Sequence, residues 1–290
     1  MKAYVFPGQG AQFVGMANKF NDHPKAKEYL AQANDILGFD IVKIMTEGSE
    51  EELKQTRITQ PAIFLHSVIS AFISDDFNPD AVAGHSLGEF SALVAAKALR
   101  FDEGLRLVYT RSLAMQKACD LTPGTMAAII GMEDDAVEKV CIETQGIVVA
   151  ANYNCPGQLV ISGEIDAVES AMNKLKEMGC RNAVKLPVGG AFHSPLMAIA
   201  QNDLQAGIEK AEMHMPICPI YQNVDAHPHT DIDAIRSNLL LQLTGPVRWS
   251  QSIQNMIGNG ISDFVEVGGN GKVLSGLIKK IDRKLNVSSI

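Results

Sequence analysis

The residues best suited to chemistry lie around a serine between two glycines, in segment 84–88 (GHSLG). This segment matches G-x-S-x-G, a motif in which the serine occupies a sharp turn between a strand and a helix. Such a turn exposes the serine oxygen and points the next backbone N–H toward the position of an oxyanion. The pentapeptide also arises by chance, so an ordinary strand-to-helix turn with a capping serine is the alternative. The hypothesis that follows is a nucleophilic Ser86.

A serine hydroxyl needs a base before it can attack, and the chain contains seven histidines. His85 belongs to the turn itself, where we expect its side chain to point away from the serine. His193 lies in segment 190–195 (GAFHSP), at a junction of two parts of the chain that forms a natural cleft wall. His193 is therefore the predicted base. We interpret the other five as surface or core residues: His23, His66, His214, His227 and His229.

Strands and helices must position these residues, and the sequence around the serine predicts both kinds. Residues 80–83 form an apolar, strand-like run, and residues 89–99 show the spacing of an amphipathic helix. Residues 2–6 predict another strand, residues 49–52 a capping box, and residues 61–73 another helix. Alternating strands and helices indicate an α/β fold with a parallel sheet.

The middle of the chain follows a different order of elements. The pattern is βαββαβ, which is typical of ferredoxin-like units. We therefore predict a larger, discontinuous α/β-hydrolase-like domain at 1–121 and 189–290, with a ferredoxin-like subdomain inserted at 122–188. A turn at 152–158 is expected to join the second and third strands. The six predicted elements span residues 125–130, 134–143, 147–151, 159–162, 166–178 and 183–186.

Four segments together resemble one known family. In their order they are similar to the malonyl-CoA:acyl carrier protein transacylases, which load malonyl units in bacterial fatty acid synthesis and have relatives in polyketide synthases. The resemblance covers nearly the whole chain, from Val5 to about Ile281. It implies transfer of a malonyl group from malonyl-CoA to the phosphopantetheine thiol of acyl carrier protein, by a ping-pong mechanism through an ester on Ser86. The segments are 5–12 (VFPGQGAQ), 84–89 (GHSLGE), 191–194 (AFHS) and 246–249 (PVRW).

The resemblance also implies roles for individual residues. Ser86 becomes the acylated nucleophile and His193 its general base. The backbone N–H groups of Gln9 and Leu87 would form the oxyanion hole. The backbone carbonyl of Arg248 would orient the histidine in place of the usual aspartate, although many bacterial members carry glutamine at that position.

Arg111 matches the family arginine that pairs with the malonyl carboxylate. From the sequence alone it is a charged residue on an amphipathic helix, where a solvated face is the usual interpretation. A guanidinium suits a planar carboxylate because two parallel charge-assisted hydrogen bonds fix position and orientation. An acetyl group would leave this arginine unpaired, so selectivity would arise from that penalty.

No cofactor and no metal are expected, because the acyl group arrives already activated as a thioester. The late segment 266–273 (EVGGNGKV) resembles the family's EVGPGKV but lacks its proline and is one residue longer. It also approaches a phosphate-binding loop, yet Val273 stands where that motif requires serine or threonine. We expect an altered loop and no nucleotide hydrolysis.

The formal net charge of −8 argues against nucleic-acid binding, which needs clustered lysine and arginine. The sequence shows neither a secretory signal nor a membrane span, and its five cysteines form no CxxC pair. We therefore expect a soluble, cytoplasmic monomer with reduced thiols. An acidic carrier protein would need a local basic patch, for which Lys279, Lys280 and Arg181 are candidates. Asn152 and Asn154 are candidate cleft contacts, with turn formation as the alternative.

The sequence does not exclude two other functions. An α/β-hydrolase esterase shares the motif but needs a third, acidic triad member, for which Asp102, Asp120 and Asp166 lie between Ser86 and His193. A noncatalytic module that binds carrier protein would keep the fold without the chemistry.

Overall fold

The computed structural model describes residues 1–290 and shows a mixed α/β chain. No helix in it combines the length and the hydropathy that crossing a membrane requires. The strands are β1 (Lys2–Phe6), β2 (Ala81–Gly84), β3 (Thr125–Ile130), β4 (Val148–Cys155), β5 (Gln158–Gly163), β6 (Asn182–Lys185), β7 (Ile220–Tyr221), β8 (Pro228–His229), β9 (Asp263–Glu266) and β10 (Asn286–Ser289). The helices are α1 (Pro24–Leu37), α2 (Ile41–Glu47), α3 (Glu50–Lys54), α4 (Thr56–Ile73), α5 (Gly88–Ala95), α6 (Phe101–Leu121), α7 (Asp134–Glu143), α8 (Ile165–Glu177), α9 (Gln201–Lys210), α10 (Ile232–Leu241), α11 (Trp249–Gly258) and α12 (Val273–Ile281).

The larger sheet has six strands in the order β10-β9-β1-β2-β7-β8, and every pair is parallel except β7 with β8. Strand β1 lies in its middle and is buried on both faces. Ala3 and Val5 face a core that includes Trp249, whereas Tyr4 and Phe6 face the core formed with α4, α5 and α6. This alternation follows from the two-residue period of a strand. A parallel sheet covered on both faces explains why β1 is nearly all apolar.

The turn that carries Ser86 lies between β2 and α5, as the sequence predicts. Strand β2 ends at Gly84, and α5 begins at Gly88. The predicted helix at 89–99 is shorter in the structure, since α5 ends at Ala95. Lys97 adopts a left-handed backbone conformation with φ of 61°, which stops the helix and redirects the chain into α6. Apolar spacing alone does not reveal such a break.

The smaller sheet is antiparallel, with four strands in the order β4-β5-β3-β6. Its elements follow the predicted sequence of strand, helix, two strands, helix and strand. Helices α7 and α8 pack on it through a separate apolar core that includes Val137, Val140, Val168 and Leu175. This part of the chain therefore has its own core, distinct from those of the six-stranded sheet.

The predicted turn at 152–158 is wrong, because the two strands it was meant to join are longer than expected. Strand β4 runs on to Cys155 and β5 begins at Gln158, so only two residues form the turn. Gly157 supplies the left-handed conformation that this tight turn requires, with φ of 71°. Asn152 and Asn154 consequently lie on a strand, not in a turn.

Strand β4 also connects the smaller sheet to the rest of the molecule. The Tyr153 N–H donates to the Val247 carbonyl at 2.9 Å, and the Val247 N–H donates to the Ala151 carbonyl at 2.8 Å. These bonds add the segment before α11 to the edge of the four-stranded sheet. The two sheets are thereby fixed on either side of the cavity described next.

Candidate active site

Ser86 occupies the strained bend that its motif predicts, with a positive φ of 52°. The flanking glycines are required by close backbone contacts. A Cβ on Gly84 would lie 1.8 Å from the carbonyl carbon of Gly88, and a Cβ on Gly88 would lie 2.0 Å from the Phe6 oxygen. The sequence around Ser86 thus folds into a turn that only glycine permits at both sides.

The Ser86 oxygen Oγ lies 2.8 Å from Nε2 of His193, although 107 positions separate the two residues in the sequence. Nδ1 of the same ring lies 2.8 Å from the backbone carbonyl of Gln242. A carbonyl oxygen only accepts hydrogen bonds, so Nδ1 carries the proton and Nε2 is free to accept one from the serine. His193 itself has a φ of 58°, so both members of the pair are held in strained backbone conformations.

The prediction that the Arg248 carbonyl orients His193 is wrong. That carbonyl lies at the start of α11 and accepts hydrogen bonds from the backbone N–H and the hydroxyl of Ser252, both at 2.9 Å. The Arg248 side chain points elsewhere as well, donating from Nε to the Val224 carbonyl at 3.1 Å. Gln242 takes the predicted role. No motif marks it, because a backbone carbonyl leaves no trace in the side-chain type.

Burial controls the protonation of the histidine. His193 is 4% exposed, and this burial, together with the nearby Arg111 cation, lowers its pKa to about 3. The Gln242 carbonyl opposes the shift by accepting from the ring, but it does so less strongly. The imidazole is therefore neutral at neutral pH and available as a base.

Arg111 is not on a solvated face; it projects from α6 into the interior and is 1% exposed. Nη2 lies 3.1 Å from Ser86 Oγ and 3.2 Å from Oε1 of Gln242, and Nη1 lies 2.8 Å from Oε1 of Gln60. Nε is buried without any acceptor. Burial lowers the pKa of the guanidinium to about 10, so it remains a cation at neutral pH. Gln60 and Gln242 were not found from the sequence.

Gln9 and Leu87 both line the same cavity as Ser86. Neither backbone N–H donates a hydrogen bond within the chain. Leu87 directly precedes α5, and the loop that holds Gln9 is pressed against the serine turn, since a Cβ on Gly8 would lie 2.5 Å from the His85 carbonyl oxygen. The two N–H groups are thus available at the cavity, and their role as an oxyanion hole stays a prediction.

The cavity has a volume of about 810 Å³ and lies between the two sheets. Its apolar wall includes Met115, Met126, Val160, Leu186 and Phe192. Glu50 and three exposed lysines also line it: Lys54, Lys272 and Lys280. Glu50 pairs with the first of these lysines at 3.3 Å. The cavity therefore combines an apolar interior with cationic groups at its solvent-facing parts, a composition that suits an elongated anionic ligand.

Other sequence candidates divide into those at the cavity and those away from it. His85 lines it, with its Nε2 held by Oδ1 of Asn154 at 2.9 Å, and Asn152 lines it too. Lys279 and Arg181 do not; Lys279 donates to the Leu285 carbonyl at 2.6 Å. The five histidines interpreted as surface or core residues are also absent from the cavity wall.

Comparisons with known proteins agree with this geometry. The family model described as an acyl transferase domain matches residues 3–290. The malonyl CoA-acyl carrier protein transacylase of Staphylococcus aureus is 41% identical over 292 residues, which cover 99% of this chain and 94% of that protein. The solved transacylase of the same name from Coxiella burnetii is 38% identical, with a TM-score of 0.95 over 99% of this chain and 93% of its own.

A third similar structure is a malonyl-transacylase in complex with the acyl-carrier protein of a type II polyketide synthase. It is 38% identical, with a TM-score of 0.95 over 100% of this chain and 95% of its own. The chain therefore belongs to the acyl transferase family and, within it, to the malonyl-CoA:acyl carrier protein transacylases. It is an acyltransferase.

Proposed function

We propose that this acyltransferase moves a malonyl group from malonyl-CoA to the phosphopantetheine thiol of an acyl carrier protein, through a malonyl ester on Ser86. One observation carries the choice of acyl group. A buried arginine, Arg111, lies 3.1 Å from the nucleophile and holds a guanidinium nitrogen that has no acceptor. A carboxylate at the far end of a short acyl chain is the group that fits this cation.

In the first half-reaction, Nε2 of His193 takes the Ser86 proton while Oγ attacks the thioester carbonyl. The N–H groups of Gln9 and Leu87 stabilise the oxyanion, and such donors are typically worth about 3–4 kcal/mol each. The tetrahedral intermediate collapses with loss of the coenzyme A thiolate, which receives the proton from His193. The products are free coenzyme A and malonyl-Ser86.

In the second half-reaction, His193 removes the proton of the carrier thiol, and the thiolate attacks the malonyl ester. The tetrahedral intermediate collapses by breaking the bond to Oγ of Ser86, which takes the proton back from His193, and the products are the malonyl thioester of the carrier and free Ser86. The carbonyl of Gln242 fixes the ring but carries no full charge, so it stabilises an imidazolium less than the usual carboxylate does. A thiol, with a pKa of about 8.5, needs less help from a base than water, with a pKa of about 15.7. The site therefore favours transfer over hydrolysis.

Arg111 selects the acyl group through its unsatisfied hydrogen-bonding capacity. A buried donor without a partner costs about 1–3 kcal/mol, and more when it is charged. A malonyl carboxylate accepts from the Nε and Nη2 edge of the guanidinium, with Nη2 leaving Ser86 Oγ as that oxygen attacks. An acetyl group offers no such acceptor, so the cost remains when acetyl is bound.

The geometry disfavours the esterase alternative. Nδ1 of His193 faces a backbone carbonyl, not an acidic side chain. Asp102 pairs with Arg100, and Asp120 accepts from the Gln116 amide at the exposed surface. Asp166 lies in the first turn of α8, which packs on the smaller sheet. The paired serine and histidine likewise disfavour a noncatalytic module.

The carrier protein is proposed to dock at the lysine-lined part of the cavity. Lys54, Lys272 and Lys280 are exposed there; Glu50 pairs with Lys54, so Lys272 and Lys280 provide the local positive surface on a chain whose net charge is −8. Such complementarity mainly accelerates association with an acidic partner. We also propose that the enzyme acts in fatty acid synthesis. We propose that it is a soluble, cytoplasmic monomer and that it uses no cofactor.

We also infer that the two sheets correspond to two domains, an α/β-hydrolase-like one at 1–121 and 189–290 and a ferredoxin-like one at 122–188. The separate core that α7 and α8 form on one face of the smaller sheet supports this division, while Met126, Ala128 and Val160 on the other face pack into the larger core. Both boundaries fall outside the strands of the smaller sheet.

Mass spectrometry of the intact protein tests the proposed function. The protein is mixed with malonyl-CoA, methylmalonyl-CoA or acetyl-CoA, and holo-acyl carrier protein is then added. We expect one malonyl group on Ser86, stable without a thiol and discharged onto the carrier. No covalent adduct on Ser86, or release of malonate without carrier as fast as transfer to it, would overturn the proposal.

A further inference from the structure

We propose that Asn223 is a positioning residue for the reaction, because its side-chain amide holds the strained bend around Ser86 closed. Asn223 follows β7, the strand next to β2 in the six-stranded sheet, and is fully buried. No motif in the sequence marks it. The proposal rests on Ser86 being the nucleophile of the proposed function.

The Asn223 amide spans the bend from one side to the other. Its Oδ1 accepts from the backbone N–H of Ser86 at 2.7 Å, and its Nδ2 donates to the carbonyl of Gly84 at 2.7 Å. Gly84 is the last residue of β2, and Ser86 has the positive φ. The two hydrogen bonds therefore join the end of the strand to the strained residue, where they oppose relaxation of the bend.

The backbone of Asn223 is anchored as firmly as its side chain. Its N–H donates to Oε1 of Glu89, a fully buried residue in the first turn of α5. Its carbonyl accepts from the Arg248 N–H at 2.9 Å. Every polar group of Asn223 thus has a partner, and these partners come from β2, α5 and the segment before α11.

This arrangement has a direct consequence for the chemistry. The Ser86 N–H is occupied by Asn223, so it does not compete with the Leu87 N–H as an oxyanion donor. Fixing the bend also fixes the direction of Oγ toward His193 and the direction of the Leu87 N–H. Misplacing reacting groups by about 1 Å can cost on the order of 100-fold in rate.

The test compares Asn223→Ala and Asn223→Asp with Asn255→Ala and Asn255→Asp. Asn255 is a matched control, since its Nδ2 donates at 2.9 Å to the carbonyl of Ala226, in the same loop as Asn223 but away from the serine. Single-turnover acylation by malonyl-CoA is measured on protein whose folded fraction is determined by circular dichroism. Labelling by a fluorophosphonate, a general serine reagent, is measured in parallel.

We expect a loss of roughly 10- to 100-fold in the acylation rate of Asn223→Ala, with KM for malonyl-CoA changed less than about twofold. Asn223→Asp keeps the acceptor for the Ser86 N–H but replaces the donor to Gly84 by a carboxyl oxygen, which repels that carbonyl when ionised, so a loss in rate is expected here too. The Asn255 variants should acylate at the wild-type rate. A merely structural role would instead lower the melting temperature while leaving the rate per folded molecule unchanged.

Folded Asn223 variants that react at the wild-type rate with both reagents would overturn the proposal. So would an equal loss in the Asn255 variants. If Asn223→Ala does not fold, Asn223→Asp carries the test. A wild-type protein that reacts with fluorophosphonate but not with malonyl-CoA would contradict the proposed function alone, and the Asn223 comparison would still be made with the fluorophosphonate.

Discussion

At the residue scale, the arginine beside Ser86 shows how burial changes the role of a charged side chain. Arg111 lies on a long helix where a solvated cation would be ordinary, yet it is 1% exposed and faces Ser86. Two glutamine side chains, Gln60 and Gln242, hold it in place without neutralising it. The charge therefore remains available for an anionic ligand.

Replacing Arg111 by alanine should reduce malonyl loading by roughly 10- to 100-fold, since hydrogen bonds to charged groups are worth about 1.5–3 kcal/mol. Loading with acetyl should fall much less, because acetyl makes no contact with the guanidinium. The protein is mixed with equimolar malonyl-CoA and acetyl-CoA, and the intact mass of the Ser86 adducts gives the ratio of malonyl to acetyl loading. Arg106→Ala, on the exposed side of the same helix, is the control. An unchanged ratio in Arg111→Ala would remove Arg111 from the acyl site.

The protonation of His193 makes a second prediction. Its pKa is lowered to about 3 by burial and by Arg111, so the imidazole stays neutral well below pH 6.5. The pH dependence of kcat/KM for acylation reports the pKa values of the free enzyme. The decrease of kcat/KM on the acidic side should therefore lie far below pH 6. Arg111→Ala removes a cation that lowers this pKa, so this decrease should move to higher pH. The measurement uses acetyl-CoA for both proteins, and a downward shift or no shift would contradict the assignment.

At the element scale, the decisive feature is the close packing of β1, β2 and α5 around the serine turn. Gly88, the first residue of α5, lies so close to β1 that a Cβ would meet the Phe6 oxygen at 2.0 Å. Backbone atoms on both sides leave no flexible side chain to move away. A side chain at this position would therefore displace the backbone of the turn or of β1.

Gly88→Ala should accordingly lower the free energy of unfolding by about 1–3 kcal/mol or more, through overpacking against the strand. Gly276→Ala is the matched control, because this glycine lies in α12 with no atom within 4 Å of an added Cβ. Helix propensity should make that variant more stable by about 0.5–1 kcal/mol. Urea unfolding measures both, and equal stabilities of the two variants would refute the close-contact argument.

At the scale of the whole molecule, a buried carboxyl group and the buried imidazoles give the stability opposite dependences on pH. Glu89 has its pKa raised to about 8 from 4.5 by burial, so between these values the folded chain binds more protons and stability falls as pH rises. His193 and His66 each have their pKa lowered to about 3 from 6.5, and burial lowers the pKa of His85 too, so in that window the unfolded chain binds more protons and stability rises with pH. The two effects oppose each other from about pH 4.5 to 6.5, and Glu89 acts alone from there to about 8.

Glu89→Gln should therefore remove the loss of stability that the wild-type chain shows between about pH 6.5 and 8. Glutamine keeps an oxygen that accepts from the Asn223 N–H and carries no charge to bury. The urea midpoints of the wild-type chain and of Glu89→Gln are compared at pH 6.5 and pH 8. Glu51→Gln, a substitution at an exposed position, is the control. A wild-type midpoint that does not fall across this window would show that Glu89 is already ionised in the folded chain.

The sequence determined those features of this protein that depend on local pattern. Glycine spacing predicted the strained turn of Ser86, and alternating apolar runs predicted most of the strands and helices. The sequence did not predict element boundaries that depend on the backbone conformation of one residue. Lys97 ends α5, and Gly157 shortens the β4–β5 turn. Hydrophobic periodicity does not encode the left-handed backbone conformation of a single residue.

Only the tertiary structure decided which groups surround the serine and histidine. Gln242 contributes a backbone carbonyl, and Asn223 reaches the turn from a neighbouring strand, so neither contact depends on sequence spacing. The assignment of that carbonyl to Arg248 was wrong for the same reason: every residue has one, and the fold alone determines which of them faces the ring. Local interactions depend on residues that are neighbours in the sequence. Contacts between residues more than a hundred positions apart form only when the two sheets have packed.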